Sequence, residues 1–487
     1  MTSYKTNLWK SVDWFTIILY VIMITAGWFC VYGASYDIDA PTLLDLNSRQ
    51  GYQLLWIGIS VIVIFIIMML DKNFFETFSY LIYGAIIFLL ILTIFIAPDI
   101  KGSRSWLVIL PVLRFQPAEI AKFATLLALA KYMNSYEFNL LKLKNFIICT
   151  CIVLLPMICI FLQRETGTAL VFLALALVFY REGMSGYVLF SSACAILFFI
   201  VKLKYDFLFW NDTPLGELIV TGIILVIMYI FLLFVLKKRA FSIYFLGIVA
   251  LTALLSYIAS FFITINFVWV GVVLVVGFSI YLVLYSMRVI EWSYSFLALF
   301  AILSLGFLFS VDYVFDNVLE PHQQQRVKVS LGLVNDPTGV GYNVNQSKIA
   351  IGSGGFTGKG FLNGTQTKLK FVPEHATDFI FCIVGEEFGF RGSLSVIVLY
   401  CIFLLRMLVL AERQDTTFGR VYGYGVVSFF LFHVFINIGM VTGLTPVIGI
   451  PLPFFSYGGS SLLGFTILLF IFLRIDSGRK EFIMSGA

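Results

Sequence analysis

The chain has 487 residues, 60% of them hydrophobic and only 12% charged, with a mean hydropathy of +0.98 and a formal net charge of +5. A soluble protein of this length could not hide that much apolar surface, so the composition excludes a soluble globular fold and points to an integral membrane protein. Alternating ten-residue strand patterns are absent, which favours a helical bundle over a barrel, and without a basic, aromatic-interleaved patch the sequence argues against nucleic-acid binding.

The first apolar run, from Trp14 to about Tyr32, is too long for a signal-peptide core and lacks a clear cleavage site, so it reads as a retained first helix. Runs of spanning length, roughly 17–25 residues, recur along the chain. They lie near 14–33, 52–70, 77–97, 117–134, 145–162, 167–181, 186–203, 217–236, 241–262, 266–286, 294–311, 392–411, 422–441 and 458–474. The expected fold is an all-α, polytopic bundle of about fourteen helices, the fourth and sixth being short or partly polar.

Lys and Arg in the short connections set the orientation. With Lys5 and Lys10 taken as cytoplasmic, the even-numbered connections face the same side. They carry Lys72, Lys131, Lys142, Lys144, Arg181, Lys237, Lys238, Arg239, Arg288, Arg413 and Arg420. Arg474, Arg479 and Lys480 put the C-terminus there too, and Lys202 with Lys204 is the main exception. The seven cysteines (Cys30, Cys149, Cys151, Cys159, Cys194, Cys382 and Cys401) lie in or beside apolar runs without His or acidic partners, and read as buried small hydrophobes.

Two segments expected on the outer side stand apart. One is 98–116, PDIKGSRSWLVILPVLRFQ; the other is 312–391, by far the longest connection. Both carry cations where the orientation rule predicts few: Lys101, Arg104, Arg114, Arg326, Lys328, Lys348, Lys359, Lys368 and Lys370. Such a cluster suits an anionic ligand, such as a phosphate on a lipid carrier, or simply lipid headgroups. In LVNDPTGVGYNVNQSK, Asp336 precedes Pro337, with Gly339 and Gly341 close behind. A carboxylate on such a turn could accept a proton from a sugar hydroxyl, or merely start the turn.

KIAIGSGGFTGKGFLNGTQ (348–366) is Gly-rich but lacks P-loop spacing; its N–H groups could face an anion. RFQPAEIAK (114–122) places Pro117 in a first helical turn, with Glu119 and Lys122 three apart on one face as a structural pair. QRETGTAL (163–170) sets Glu165 at a helix N-terminus. NIGMVTGLTPVIGIPLPFFSYGGSS (437–461) cannot be regular helix, because Pro446, Pro451 and Pro453 are interleaved with glycines. His433, alone in an apolar helix, reads as an interhelical hydrogen bonder. FVPEHATDFIF (371–381) holds Glu374, His375 and Asp378 before an apolar run too short to span. Residues 378–389 therefore read as a surface-lying helix capped by Thr377 or Asp378.

Together RFQPAEIAK, QRETGTAL, DPTGVGYNVNQSKIAIGSGGFTGKGFLNGTQ, FVPEHATDFIFCIVGEEFGFRG and NIGMVTGLTPVIGIPLPFFSYGGSS resemble, in order and spacing, the RodA branch of the SEDS family (shape, elongation, division and sporulation). The resemblance implies a peptidoglycan glycosyltransferase of the bacterial cytoplasmic membrane that polymerises lipid II at its outer face during cell elongation. It implies Asp336 as the catalytic carboxylate, with Arg114, Gln116, Lys348, Glu374, Thr377, Asp378 and Ser456 as candidate substrate contacts. Partners implied are lipid II, a class B penicillin-binding transpeptidase and other elongation-complex membrane proteins. No protein metal site is read; cofactors stay open, a divalent cation such as Mg2+ being one option at the pyrophosphate.

The chain departs from the family pattern at three places. Ala118 stands for a usual Ser, Arg164-Glu165 for Pro-Asp, and His375 one position early in PEHATD. The family has ten helices, so residues 186–293 read as about four inserted ones, between a first core part (1–185) and a second (294–487, with the loop 312–391). A lipid II transporter, or a scaffold for a penicillin-binding protein, remain alternatives.

Overall fold

The computed structural model describes residues 11–35, 48–100, 102–108, 114–334, 339–369 and 371–485. Lys101 and Lys370, two of the expected anion-binding cations, lie outside them. Among the described residues twelve helices are long and apolar enough to cross a membrane. They are α1 (Trp14–Ser35), α2 (Arg49–Met69), α3 (Ser79–Ile96), α5 (Leu143–Leu162), α7 (Gly186–Tyr205), α8 (Leu215–Val235), α9 (Arg239–Ala259), α10 (Phe267–Val289), α11 (Trp292–Asn317), α13 (Ile380–Glu412), α14 (Thr417–Thr442) and α15, whose apolar part is Gly459–Gly478. The remaining two of the fourteen apolar runs are shorter helices: α4 (Pro117–Met133) and α6 (Thr166–Arg181), the latter tightened to a 3-10 turn at Phe172–Leu175. Helix α12 (Val340–Ser353) falls within the long connection.

Length separates α4 from the spans, and burial explains how it persists. Its alanines at 118, 121, 124, 128 and 130 are all buried, so neighbouring helices approach closely. Gly425 of α14 packs on the Leu126 side chain with no room for a Cβ.

The chain forms two compact units, Met1–Met184 with Pro337–Ala487, and Ser185–Asp336. In the first unit, ion pairs tie helix ends together. Asp13, just before α1, takes both Arg406 Nε (3.1 Å) and Nη2. Burial works to raise the Asp13 carboxyl, but its hydrogen bonds to Arg406 and Thr16 outweigh burial and hold it below the ordinary carboxylate range. One end of this unit gathers cations, each already satisfied. Lys72 reaches the Gly478 carbonyl (2.8 Å), Arg474 the Leu70 carbonyl (2.8 Å), Arg413 meets Asp476, Arg420 meets Glu182 (2.9 Å) and Arg181 meets Glu412 (2.9 Å).

In the second unit, α7, α8, α10 and α11 enclose a core that includes Phe198, Ile224, Met228, Val275 and Leu305. A two-residue hairpin, Phe209–Trp210 against Thr213–Pro214, joins α7 to α8, with Asn211 and Asp212 both left-handed at its tip. Lys202, the exception to the orientation rule, is buried and ringed by Asp206 (2.6 Å), Glu217 (2.8 Å) and Asp312 (3.2 Å). A neutralised cation carries little topological weight, which accounts for Lys202, while Lys204 stays exposed.

Two expectations are corrected. Cys151 and Cys401 lie on exposed helix faces, whereas the other five cysteines are buried as expected. Residues 380–388 are not a surface-lying helix: they form the first turns of α13, buried from Ile380 through Glu387, before Gly389 (φ 65) breaks the helix. Its N-cap is Phe379, without a side-chain cap, because Thr377 Oγ1 turns back to Glu374.

Candidate active site

Two irregular segments of the first unit, 372–379 and 444–458, are zipped together. Prolines 446, 451 and 453 remove backbone donors, and Gly449 (φ 77) and Phe454 (φ 67) turn the chain left-handed. At membrane depth the carbonyls so released must find partners inside the protein, and α14 supplies two. His433 and Asn437 are one turn apart on one face. His433 Nδ1 donates to Pro451 O (3.1 Å), while Asn437 Nδ2 donates to both Ile450 O (2.7 Å) and Asp378 O (2.8 Å). Tyr400 of α13 donates to Pro453 O. Ser456 Oγ accepts from Leu452 N (2.8 Å) and donates to Thr377 O (2.6 Å), and Tyr457 N donates to Ala376 O (2.8 Å). Asp378 is thus fixed by its backbone, and its Oδ2 lies 3.3 Å from where a Cβ on Gly449 would stand.

Asn437→Ala removes the side chain of α14 that bonds both segments at once. It strands two buried carbonyl bonds, so a loss of about 1–3 kcal/mol is expected. A thermal melt of the purified protein checks this: an unshifted midpoint would mean the zipper holds without Asn437.

Beneath the zipper is a buried ionic cluster. Lys122 Nζ donates to Glu119 Oε2 (2.9 Å) and to His433 Nε2 (3.1 Å), and sits 4.6 Å from the Phe465 ring centre. An ammonium offers only donors, so Nε2 accepts and the imidazole proton is on Nδ1, facing Pro451 O. The expected Glu119–Lys122 pair and the interhelical role of His433 are therefore one network.

The Gly-rich stretch spends its N–H groups on protein. Lys359 N and Gly360 N donate to Glu386 O (3.1 Å) and Glu387 O (2.9 Å), and Phe390 N donates to Gly355 O (2.9 Å). Gly358 (φ 80) packs against the Glu387 carbonyl with no space for a Cβ. The Lys359 and Gly360 amides are thus spent on carbonyls, and Gln366 N on the protein's own Glu386 carboxylate. Glu386, fully buried, accepts from Lys359 Nζ (2.7 Å), Gln366 N (2.8 Å) and Thr367 N (3.0 Å). Lys359 is therefore a structural cation.

The remaining sequence candidates separate as follows. Asp336 lies outside the described residues. Arg114 pairs by its backbone with Val108 in a two-residue ladder. Gln116, buried, is the N-cap of α4, with Pro117 in its first turn as expected. Glu165 is the N-cap of the first turn of α6, but its carboxylate accepts from Ser105 Oγ (2.7 Å) rather than capping. Lys348 is exposed on α12, its ammonium filling the space where a Cβ on Gly443 would stand. Thr377 and Glu374 bond each other (3.3 Å). Ser456 serves the zipper. His375, buried, is held between Val372 O (2.7 Å) and Ala34 O (3.0 Å), a tether to α1. The structure thus brings Glu374, Thr377, Asp378 and Ser456 together. Among the described residues no three His, Cys, Asp or Glu side chains are grouped to hold a metal ion. The sequence reading missed Asn437 and Glu386; a polar residue inside an apolar run was the available signal for both.

Comparison with known proteins follows the same lines. The FTSW_RODA_SPOVE model, described as a cell cycle protein, matches residues 13–212 and 258–481. A Treponema pallidum protein named peptidoglycan glycosyltransferase RodA is 30% identical over 453 residues, 92% of this chain and 94% of that one. The Bacillus subtilis stage V sporulation protein E is 27% identical over 478 residues, 98% of this chain and 99% of its own length. Escherichia coli MrdB, also named a peptidoglycan glycosyltransferase, is 48% identical over 163 residues, 34% of this chain and 44% of its own. Two solved structures share the fold. One, described as a peptidoglycan synthase complex coordinating polymerization and crosslinking, superposes with a TM-score of 0.58 at 22% identity over 96% of this chain and 98% of that one. The other, Thermus thermophilus RodA, gives 0.53 at 19% identity, covering 96% of this chain and 97% of that one. The chain belongs to the FtsW/RodA/SpoVE family, the SEDS proteins that its motifs resemble.

Proposed function

We infer that the chain is a peptidoglycan glycosyltransferase, a multi-pass protein of the bacterial cytoplasmic membrane that polymerises lipid II. The observation that carries this is the near end-to-end correspondence with a protein of that name, 92% of this chain on 94% of the relative. The cation-rich end of the first unit would face the cytoplasm, placing the zipped segments and α12 on the outer side, where glycan strands are made. A relative's fold in a complex that couples polymerization to crosslinking supports a penicillin-binding transpeptidase as partner in elongation.

In the reaction, Asp336 takes the proton from an acceptor sugar hydroxyl. That oxygen forms a bond to the donor's anomeric carbon, the anomeric C–O bond to pyrophosphate breaks, and undecaprenyl pyrophosphate leaves with the electron pair. Lys348, exposed and borne on the helix that follows Asp336, is the cation assigned to the pyrophosphate, with Arg114 and Gln116 at the entry of α4 as further contacts. Glu374, Thr377 and Asp378 form the adjoining wall, and Ser456 holds that wall in place. Lys348→Gln removes one charge-assisted bond and is expected to raise KM for lipid II about tenfold. Initial rates against lipid II concentration check this, and an unchanged KM would assign the pyrophosphate elsewhere.

The decisive test is reconstitution of the purified full chain with lipid II, products being resolved on a gel. Glycan strands from this protein alone support the enzyme. Product only when an active partner polymerase is added would make it a scaffold, and transbilayer movement of lipid II without product would make it a transporter.

A further inference from the structure

The second unit contains an apolar groove of about 340 Å3 between α8, α9 and α10, within the size range of sites for small ligands. We propose that it holds an acyl chain of a phospholipid with an ammonium-bearing headgroup, of the phosphatidylethanolamine class. Most of its lining falls in residues 213–257, the stretch the family model leaves unmatched.

Three observations identify the occupant. The three helices are all long and apolar enough to cross a membrane, so what reaches the groove is bilayer hydrocarbon. The two aliphatic hydroxyls of the lining are already satisfied: Thr221 Oγ1 donates to Glu217 O (2.8 Å) and Ser256 Oγ to Ala253 O (3.0 Å), both within their own helices. Small residues on facing walls, Gly222 and Ala253, leave a slot, and a Cβ on Gly222 would meet nothing within 4 Å, whereas Gly271 lets the Thr221 methyl close the base of the groove. At one end, Trp210 stacks on Phe267 (5.0 Å between ring centres) and lies 6.5 Å from Tyr257, an arrangement suited to the headgroup level of a bilayer.

Charge then selects the headgroup. Glu217 directly precedes Leu218 of the lining, and with Asp206 and Asp312 it surrounds the single ammonium of Lys202. With exposed Lys204 counted as well, three carboxylates stand against two cations, still an acidic excess at the end of α8 that carries Leu218. It repels an anionic headgroup, the pyrophosphate of lipid II included, and attracts an ammonium.

The full-length protein is reconstituted in nanodiscs of equal phosphatidylethanolamine and phosphatidylglycerol, with undecaprenyl phosphate as a third component. It is then released into detergent, and retained lipid is read by native mass spectrometry. Phosphatidylethanolamine is expected in excess over phosphatidylglycerol by about fivefold, the size of one surface charge acting on a charged headgroup. Gly222→Leu is expected to remove that retained lipid, and Ala253→Phe does so from the facing wall should the first variant fail to fold. Asp312→Asn is expected to narrow the excess. Equal retention of the two phospholipids, preference for phosphatidylglycerol or undecaprenyl phosphate, or undiminished phosphatidylethanolamine in a folded slot-filling variant each overturns the proposal. The headgroup comparison on the parent protein decides even if both variants misfold. Loss of polymerisation in the reconstitution above would leave this result untouched, so the two readings fail separately.

Discussion

Asp336→Asn is expected to abolish glycan-strand formation while the protein still folds, inserts and binds lipid II. Asparagine keeps the size and hydrogen-bonding capacity of aspartate but cannot take the acceptor hydroxyl's proton. Loss of a general base lowers turnover by about 10²–10⁴-fold. The effect should fall on kcat and on kcat/KM together, with KM little changed, because the interaction exists only as the proton leaves the hydroxyl. Asp336→Glu returns a carboxylate displaced by one methylene and should recover part of the rate. The measurement is single-turnover polymerisation of lipid II by purified variants whose thermal midpoints match the parent. A folded Asn variant that polymerises at the parental rate removes Asp336 from the chemistry.

The fold was legible because a membrane span leaves a long apolar signal: all fourteen runs are helices in the structure, including the short α4 and α6. What lay between them was less legible. FIFCIVG looked too short to do more than lie on a surface, yet it is the buried start of α13, and only the left-handed Gly389 separates it from the span. The site was legible where two chemical groups stand close in sequence, as Glu119 and Lys122 do at a three-residue spacing. It was opaque where the partner is remote. Nothing in the residues near Asn437 announces that its amide bridges carbonyls 13 and 59 positions away. Ser456, a substrate candidate by its place beside glycines, is a backbone clamp for the same reason: the carbonyl it needs belongs to Thr377.

Lys122→Met is expected to destabilise the protein more than any other single change at the buried cluster. The side chains of Lys122 and Glu119 are 0% and 3% exposed. Removing the ammonium leaves the Glu119 carboxylate buried with its countercharge gone, a loss of about 3–5 kcal/mol. It also removes the donor that fixes the tautomer of His433, so Pro451 O loses the guarantee of an Nδ1 proton and the zipper loosens at its base. The companion substitution separates these effects. Glu119→Leu in the Lys122→Met background removes both charges and replaces them with apolar volume, and should recover much of the lost stability. It cannot restore the tautomer, so part of the deficit should persist and should vanish when His433 is also replaced, by Asn437-sparing His433→Gln, whose amide can still donate to Pro451 O. Thermal midpoints of the parent, both singles, the double and the triple form the test. If the double is no more stable than Lys122→Met alone, the uncompensated carboxylate is not what the lysine holds in check, and the network matters through His433 alone.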